Sequence, residues 1–265
     1  MDIKKLIGIF TLSWNKVVSW YAIDLRSGKI ASKNDNLHIY PASSYKIFVA
    51  AEILKKIESG ELKLDEKIYL ENKFPAWADV FPINSKTIGG GQKITIDGLL
   101  KLMLQESDNR ASNQLISLLA PNFVKKNGGT QAYEDSINLC KRAMYSEKIE
   151  INAHDLAEFM AKIFNDNSFV NLKLREYMLH DSKPGQFKNT VLQKSGFLEA
   201  MSKTGPKFLR KLVCVRYKSQ AAVIKSDKLY YAVGILTKCN SLQGSKQIDL
   251  VKFQKEIERI FLAIN

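Results

Sequence analysis

The sequence predicts an α/β sandwich whose sheet gathers both ends of the chain. Three features predict it: a β-branched and aromatic segment near the N-terminus, a long block with helical spacing, and a run of strand-like segments before a last helical segment. With 265 residues and 45% hydrophobic content, the chain can bury a core of ordinary size. We expect residues 1–265 to form one domain.

The first third of the chain begins with strand signals and continues with a helix. Residues 17–25 form a run rich in β-branched and aromatic side chains, and the turn residues 26–29 make them one arm of a hairpin. Apolar residues then recur at helical spacing over 43–60, where Gly60 ends the helix. Residues 72–91 are rich in Pro, Gly and Asn and predict a loop.

The middle of the chain is predicted to be helical, and the last third changes to strands. Helices are expected at residues 95–104, 110–119, 133–144 and 153–164. Strands are expected at residues 191–192, 198–201, 212–217, 221–225 and 229–237, followed by a helix at 248–264.

Composition excludes several classes of function. The net charge of +13 could serve an anionic surface or polymer, but the lysines are spread along the chain without a basic cluster, so we expect no nucleic-acid partner. The apolar stretch at residues 6–14 is about half the length of a membrane span. Lys4 and Lys5 before it imitate a secretory signal without a cleavage site. A periplasmic or secreted location, if a signal is removed, and a cytoplasmic one both stay open.

Metal and cofactor sites are not predicted. The three cysteines (Cys140, Cys214 and Cys239) are far apart, and no CxxC or Cys/His cluster accompanies them. A single disulfide stays possible. The three histidines (His38, His154 and His180) also lack the spacing of metal ligands, so we interpret them as structural or surface residues.

A serine three residues before a lysine is the first pattern that indicates chemistry. Ser43 and Lys46 fall on the first turn of a predicted helix, where residues three apart are neighbours and the lysine can take the proton of the serine. The amides of the helix start favour an anionic intermediate. Ser13 and Lys16 have the same spacing, so the pattern needs its context.

Two further elements supply that context. Ser107-Asp108-Asn109 directly follows a predicted helix, where it could also be an ordinary polar cap. A Lys-Ser/Thr-Gly triplet occurs twice in the strand-rich part, as Lys194-Ser195-Gly196 and as Lys203-Thr204-Gly205. Alone, either triplet could be a solvated turn.

In this order, the three elements resemble those of class A β-lactamases and penicillin-binding D,D-peptidases, and the resemblance covers most of the chain. It implies a β-lactamase-like fold with an antiparallel sheet flanked by helices and an all-helical subdomain. The sheet subdomain would hold approximately residues 1–42 and 190–265, and the helical one residues 43–189. It also implies a β-lactam or a peptidoglycan stem peptide as the small-molecule partner.

The resemblance also implies roles for single residues. Ser43 would attack an amide or lactam carbonyl, Lys46 would remove its proton, and Ser107 would pass a proton to the leaving nitrogen. Asn109 would hold a substrate amide, and Asp108 would be structural. The substrate carboxylate would be bound by the triplet Lys203-Thr204-Gly205, which counting forward from the helix around residues 175–178 favours.

The later triplet has one difficulty. The residue after its glycine, which in the family donates a backbone N–H to the oxyanion, is Pro206 and has no N–H. Losing one such donor costs roughly 10²–10³ in rate. Lys194-Ser195-Gly196 is followed by Phe197, which keeps its amide, so the earlier triplet stays an alternative.

The second departure from the family concerns deacylation. Glu134 and Asn138 have the spacing of the water-activating pair of class A β-lactamases, but they fall in a predicted surface helix. We therefore expect a serine hydrolase that forms an acyl-enzyme on Ser43 and deacylates slowly. A D-alanyl-D-alanine carboxypeptidase and a non-catalytic binding protein on the same scaffold are the alternatives. We expect a monomer.

Overall fold

The computed structural model describes residues 16–71, 88–119, 150–178, 190–201, 213–242 and 250–264. The chain divides into two compact units. The sheet unit contains Met1–Ser44, Glu150–Ala161 and Asp181–Asn265, and the helical unit contains Tyr45–Ile149 and Lys162–His180. The subdomain limits and the catalytic nature of the domain stay predictions.

The described strands are β1 (Lys16–Asp24), β2 (Ile30–Lys33), β3 (Lys67–Tyr69), β4 (Lys93–Thr95), β5 (Thr190–Met201), β6 (Val213–Lys225) and β7 (Tyr230–Leu242). The described helices are α1 (Lys46–Glu58), α2 (Ile96–Gln105), α3 (Asn109–Leu119), α4 (Ala153–Asn165), α5 (Phe169–Met178) and α6 (Val251–Ile264). Five strands form one antiparallel sheet in the order β2-β1-β7-β6-β5, and β3 pairs with β4. The predicted fold class is confirmed: a mixed α/β fold with an antiparallel sheet.

The first hairpin of the sheet forms where the sequence predicts it. Asp24 ends β1, and its Oδ1 accepts hydrogen bonds from the backbone N–H groups of Arg26 at 2.9 Å and Ser27 at 2.8 Å. Gly28 follows with a φ of 71°, which glycine adopts without a steric penalty. β2 then returns antiparallel to β1.

Both faces of the sheet are covered within the sheet unit. On one face, an apolar cluster that includes Trp20, Tyr231, Ile257 and Phe261 joins the strands to α6. On the other face, a Cβ at Gly234 would lie 2.6 Å from the backbone oxygen of Ala153, so only glycine lets α4 approach β7 this closely. The sheet is thus buried on both sides, as a sandwich requires.

The predicted division of the last strands is wrong. Residues 191–192 and 198–201 belong to one continuous strand, β5, and residues 212–217 and 221–225 are largely joined in β6. The polar interruptions predicted breaks, but the polar groups find partners: Gln220 donates to Gln193 at 3.0 Å, and Ser219 Oγ donates to the Pro41 carbonyl. Satisfied polar side chains do not interrupt a strand.

The helical unit follows the predicted order with small shifts. α1 begins at Lys46 rather than at Ser43, and Gly60, at a φ of 79°, follows its end. Thr95 caps α2 by accepting a hydrogen bond from the Gly98 N–H at 3.1 Å. The predicted helix at residues 133–144, and residues 72–87 of the predicted loop, lie outside the described residues. No described helix is long and apolar enough to cross a membrane.

Candidate active site

Ser43 lies in a single 3-10 turn, Ala42–Tyr45, that leads directly into α1. Ala42, one residue earlier, has a φ of 46°, in the left-handed region that costs a non-glycine residue free energy. Ser43 is only partly buried, whereas Ala42 and Ser44 are buried on either side of it. A strained turn that leaves one hydroxyl accessible is typical of a functional site.

The carbonyl of Pro41 anchors this turn. It accepts hydrogen bonds from the Ser44 Oγ at 2.7 Å, from the Ser44 N–H at 3.2 Å, and from the Ser219 Oγ of β6. Two chain segments far apart in sequence therefore hold the backbone just before Ser43. Because several donors converge on one oxygen, the strained conformation at Ala42 is fixed by its surroundings.

Lys46, the first residue of α1, points its ammonium group at the Ser107-Asp108-Asn109 segment of the same unit. Its Nζ donates to the backbone oxygen of Ser107 at 2.6 Å, to the Ser107 Oγ at 3.0 Å and to the Asn109 Oδ1 at 3.0 Å. The structure thus brings together three of the residues that the sequence singled out. Three acceptors are the number that one ammonium group can satisfy.

Burial changes the acidity of Lys46. The residue is fully buried, and this desolvation lowers the pKa of Lys46 to about 7, although the nearby Asp108 carboxylate acts in the opposite direction. With this pKa, a substantial fraction of the Lys46 side chains is a neutral amine near neutral pH. A neutral amine can accept a proton, which an ordinary lysine cannot do there.

The Ser107-Asp108-Asn109 segment connects α2 to α3 and has a strained residue of its own. Ser107 has a φ of 57°, in the left-handed region. Asp108 caps α3, since its Oδ1 accepts from the Ala111 N–H at 2.8 Å, which supports the structural role expected for it. This cap holds Ser107 and Asn109 at the two ends of a fixed segment.

The earlier triplet, Lys194-Ser195-Gly196, lies inside β5 and is not a solvated turn. Lys194 pairs with Ala221 and Gly196 with Ser219, so Lys194 shares a sheet face with Ser219, which binds Pro41. Lys194 is only 2% exposed. Ser219 of β6 therefore pairs with this triplet and also binds the turn that carries Ser43.

The later triplet, Lys203-Thr204-Gly205, lies outside the described residues, as do Pro206, Glu134 and Asn138. The Ser219 donor on the Pro41 carbonyl was not predicted, because Ser219 lies 178 residues away in the sequence. The left-handed φ of Ala42 was not predicted either. Among the described residues, no group of His, Cys, Asp or Glu side chains is placed to hold a metal ion.

A family model and a curated relative both connect this chain with β-lactamases. The sequence model of the Beta-lactamase enzyme family matches residues 2–257. The β-lactamase SME-1 of Serratia marcescens is 30% identical over 93 residues, a match that spans 35% of this chain and 30% of that relative. The match thus covers less than a third of the curated relative's length.

Solved structures show the same fold at low identity. The TLA-3 extended-spectrum β-lactamase superposes with a TM-score of 0.59 at 15% identity, over 92% of this chain and 91% of that one. PBP-A superposes with a TM-score of 0.57 at 15% identity, over 89% and 86%. The family match over nearly the whole chain agrees with these superpositions, and the chain belongs to the Beta-lactamase enzyme family.

Proposed function

We propose that the chain is a serine hydrolase that forms an acyl-enzyme on Ser43 with β-lactams or D-alanyl-D-alanine peptides. The observation that carries the proposal is the environment of Lys46, a buried amine with a lowered pKa on the turn that follows Ser43. Buried lysines with lowered pKa values are typical of catalytic bases.

The acylation step follows from these residues. The Ser43 Oγ attacks the carbonyl carbon of the amide or lactam, and the Lys46 Nζ takes the hydroxyl proton. The carbon–nitrogen bond then breaks, and an ester remains on Ser43. Backbone amides at the start of α1 favour the negative charge that develops on the carbonyl oxygen.

The leaving nitrogen needs a proton, and Ser107 is proposed to deliver it. Its Oγ is 3.0 Å from the Lys46 Nζ, so the proton taken from Ser43 has a short path through this hydroxyl. Asn109, which accepts from the same Nζ at 3.0 Å, keeps an amide N–H₂ group for a substrate carbonyl.

The substrate carboxylate is assigned to a Lys-Ser/Thr-Gly triplet. Lys203, Thr204 and Gly205 are favoured by the sequence, and that choice stays a prediction. The register of the sheet supports the alternative, because Gly196 pairs with Ser219, which binds the Pro41 carbonyl beside Ser43.

The two triplets predict opposite results: if the earlier triplet binds the substrate carboxylate, Lys194→Ala slows acylation more than Lys203→Ala does, because Lys194 shares a sheet face with Ser219, which binds the Pro41 carbonyl. The measurement is the second-order rate of benzylpenicillin adduct formation, followed by intact mass spectrometry. Melting temperatures of both variants separate this effect from a loss of fold, since Lys194 is buried. The opposite order of rates would restore Lys203 as the carboxylate ligand.

The adduct is expected to persist. Glu134 and Asn138 fall in a predicted helix, and general-base assistance to water is worth roughly 10²–10⁴ in rate. Benzylpenicillin should therefore leave a long-lived ester on Ser43 with little turnover, and Glu134→Gln should leave its lifetime unchanged. Rapid nitrocefin turnover that collapses in Glu134→Gln would contradict this prediction and make the protein an efficient β-lactamase.

Labelling with a fluorescent penicillin tests the proposal as a whole. A variant of PBP-A has been solved as an acyl-enzyme with penicillin G, which supports the use of this probe on the shared fold. A labelled band that competes with unlabelled penicillin is expected. A non-catalytic binding protein, which Pro206 would favour by removing one oxyanion donor, would bind penicillin reversibly and give no labelled band. Release of D-alanine from a peptide would identify a carboxypeptidase.

A further inference from the structure

A group of aromatic and charged side chains lies beside the turn that carries Ser43, within the sheet unit. Tyr40 precedes Pro41, and its ring meets the Tyr217 ring of β6 edge-on with 5.2 Å between centroids. The Nζ of Lys238, on β7, lies 5.9 Å from the centroid of the Tyr217 ring. Tyr217 and Lys238 are direct partners in the sheet, so their side chains share a face.

Glu150 is the fourth member of the group, and it lies beside Tyr40. An isolated bridge joins Ile39 to Ile151 through hydrogen bonds of 2.9 and 3.1 Å. The next antiparallel pair puts Glu150 opposite Tyr40, on the same side of the bridge. The carboxylate also raises the pKa of Tyr217, although burial contributes more. The group therefore contains two tyrosines, one cation and one anion.

The charges of Glu150 and Lys238 do not form an ion pair with each other among the described contacts. Within the described part of the chain, neither Glu150 nor Lys238 forms an ion pair, and both side chains are exposed. Unpaired opposite charges on either side of an aromatic surface suit a ligand that carries both charges itself. The tyrosine rings offer the apolar stem of such a ligand a surface to pack on.

The position of this aromatic and charged group along the sheet indicates which part of a substrate it would contact. Leu198 of β5 pairs with Tyr217, two residues past Gly196, which pairs with Ser219 beside Pro41. If the triplet of β5 holds the substrate carboxylate and Ser43 attacks the carbonyl, the acyl side chain continues past Gly196 in the direction of Tyr217. The group therefore lies on the acyl side of the reacting bond.

We propose that Tyr40, Glu150, Tyr217 and Lys238 form a subsite for an acyl side chain that ends in an amino-acid group, with an ammonium for Glu150 and a carboxylate for Lys238. This inference rests on the proposed acylation of Ser43 and on Lys194-Ser195-Gly196 as the carboxylate site, and it adds the class of acyl group to them. Its substrates are acyl donors with a zwitterionic side chain, rather than donors with a neutral aromatic one.

Three cephalosporins with one nucleus and different side chains test the subsite: α-aminoadipyl, adipyl, which lacks the ammonium, and phenylacetyl, which lacks both charges. The α-aminoadipyl compound is expected to acylate the protein fastest, by about fivefold over the adipyl one. Lys238→Gln should slow both charged compounds by about fivefold, and Glu150→Gln only the α-aminoadipyl compound. Neither variant should alter the rate with phenylacetyl.

The control is Lys225→Gln, because Lys225 also stacks on a tyrosine ring of the same sheet, 5.5 Å from the centroid of Tyr230. It should leave all three rates unchanged. Equal responses of the three compounds to Lys238→Gln and Glu150→Gln would overturn the subsite. Titration of Ser43→Ala with the same compounds separates the two proposals: a side-chain preference in binding without acylation in the native protein refutes the hydrolase and keeps the subsite.

Discussion

Ser43→Ala is expected to abolish the covalent adduct with a fluorescent penicillin and to leave the fold intact. The hydroxyl of Ser43 is the only atom of the residue that the proposed reaction uses, and no described hydrogen bond of the turn depends on it. Removing it therefore costs little stability, while covalent catalysis loses its nucleophile. Gel fluorescence and intact mass measure the adduct, and circular dichroism measures the fold.

The matched control for this variant is Ser13→Ala, because Ser13 and Lys16 repeat the spacing of Ser43 and Lys46. Labelling of the Ser13→Ala protein should equal that of the native protein. An adduct that persists in Ser43→Ala would show that another residue is the nucleophile, and peptide mapping of that adduct would identify it.

Acylation is expected to depend on pH through Lys46, whose pKa burial lowers to about 7. Below this value the ammonium cannot accept the proton of Ser43, so the acylation rate should fall by about tenfold per pH unit. Above it the amine is neutral and the rate should level off. The measurement is the second-order rate of adduct formation between about pH 5 and about pH 9.

Lys46→Arg distinguishes a base from a mere positive charge, because a guanidinium keeps the charge and cannot lose its proton. We expect this variant to lose roughly 10²–10⁴ in acylation rate, the usual worth of a general base, and to lose the pH dependence near neutrality. An Arg variant that acylates at the native rate would assign proton removal to another group. A melting temperature near the native one ensures that the comparison concerns folded protein.

The fold was predictable in outline because its signals are local. The hairpin at Asp24, the cap at Thr95 and the end of α1 at Gly60 each depend on residues within one turn of one another. The continuity of β5 and β6 was not predictable. It depends on partners for Ser219 and Gln220 that lie 178 and 27 residues away.

The candidate site divides in the same way. The sequence by itself predicted that Ser43 and Lys46 lie three residues apart at a helix start, and the structure has Ser43 in a 3-10 turn that leads into α1 at Lys46. The sequence also determined that Asp108 could cap a helix. The tertiary structure decided that Lys46 meets Ser107 and Asn109 and loses its water, which lowers its pKa to about 7. Burial and the meeting of distant segments are properties of the packed chain, and no local pattern in the sequence encodes them.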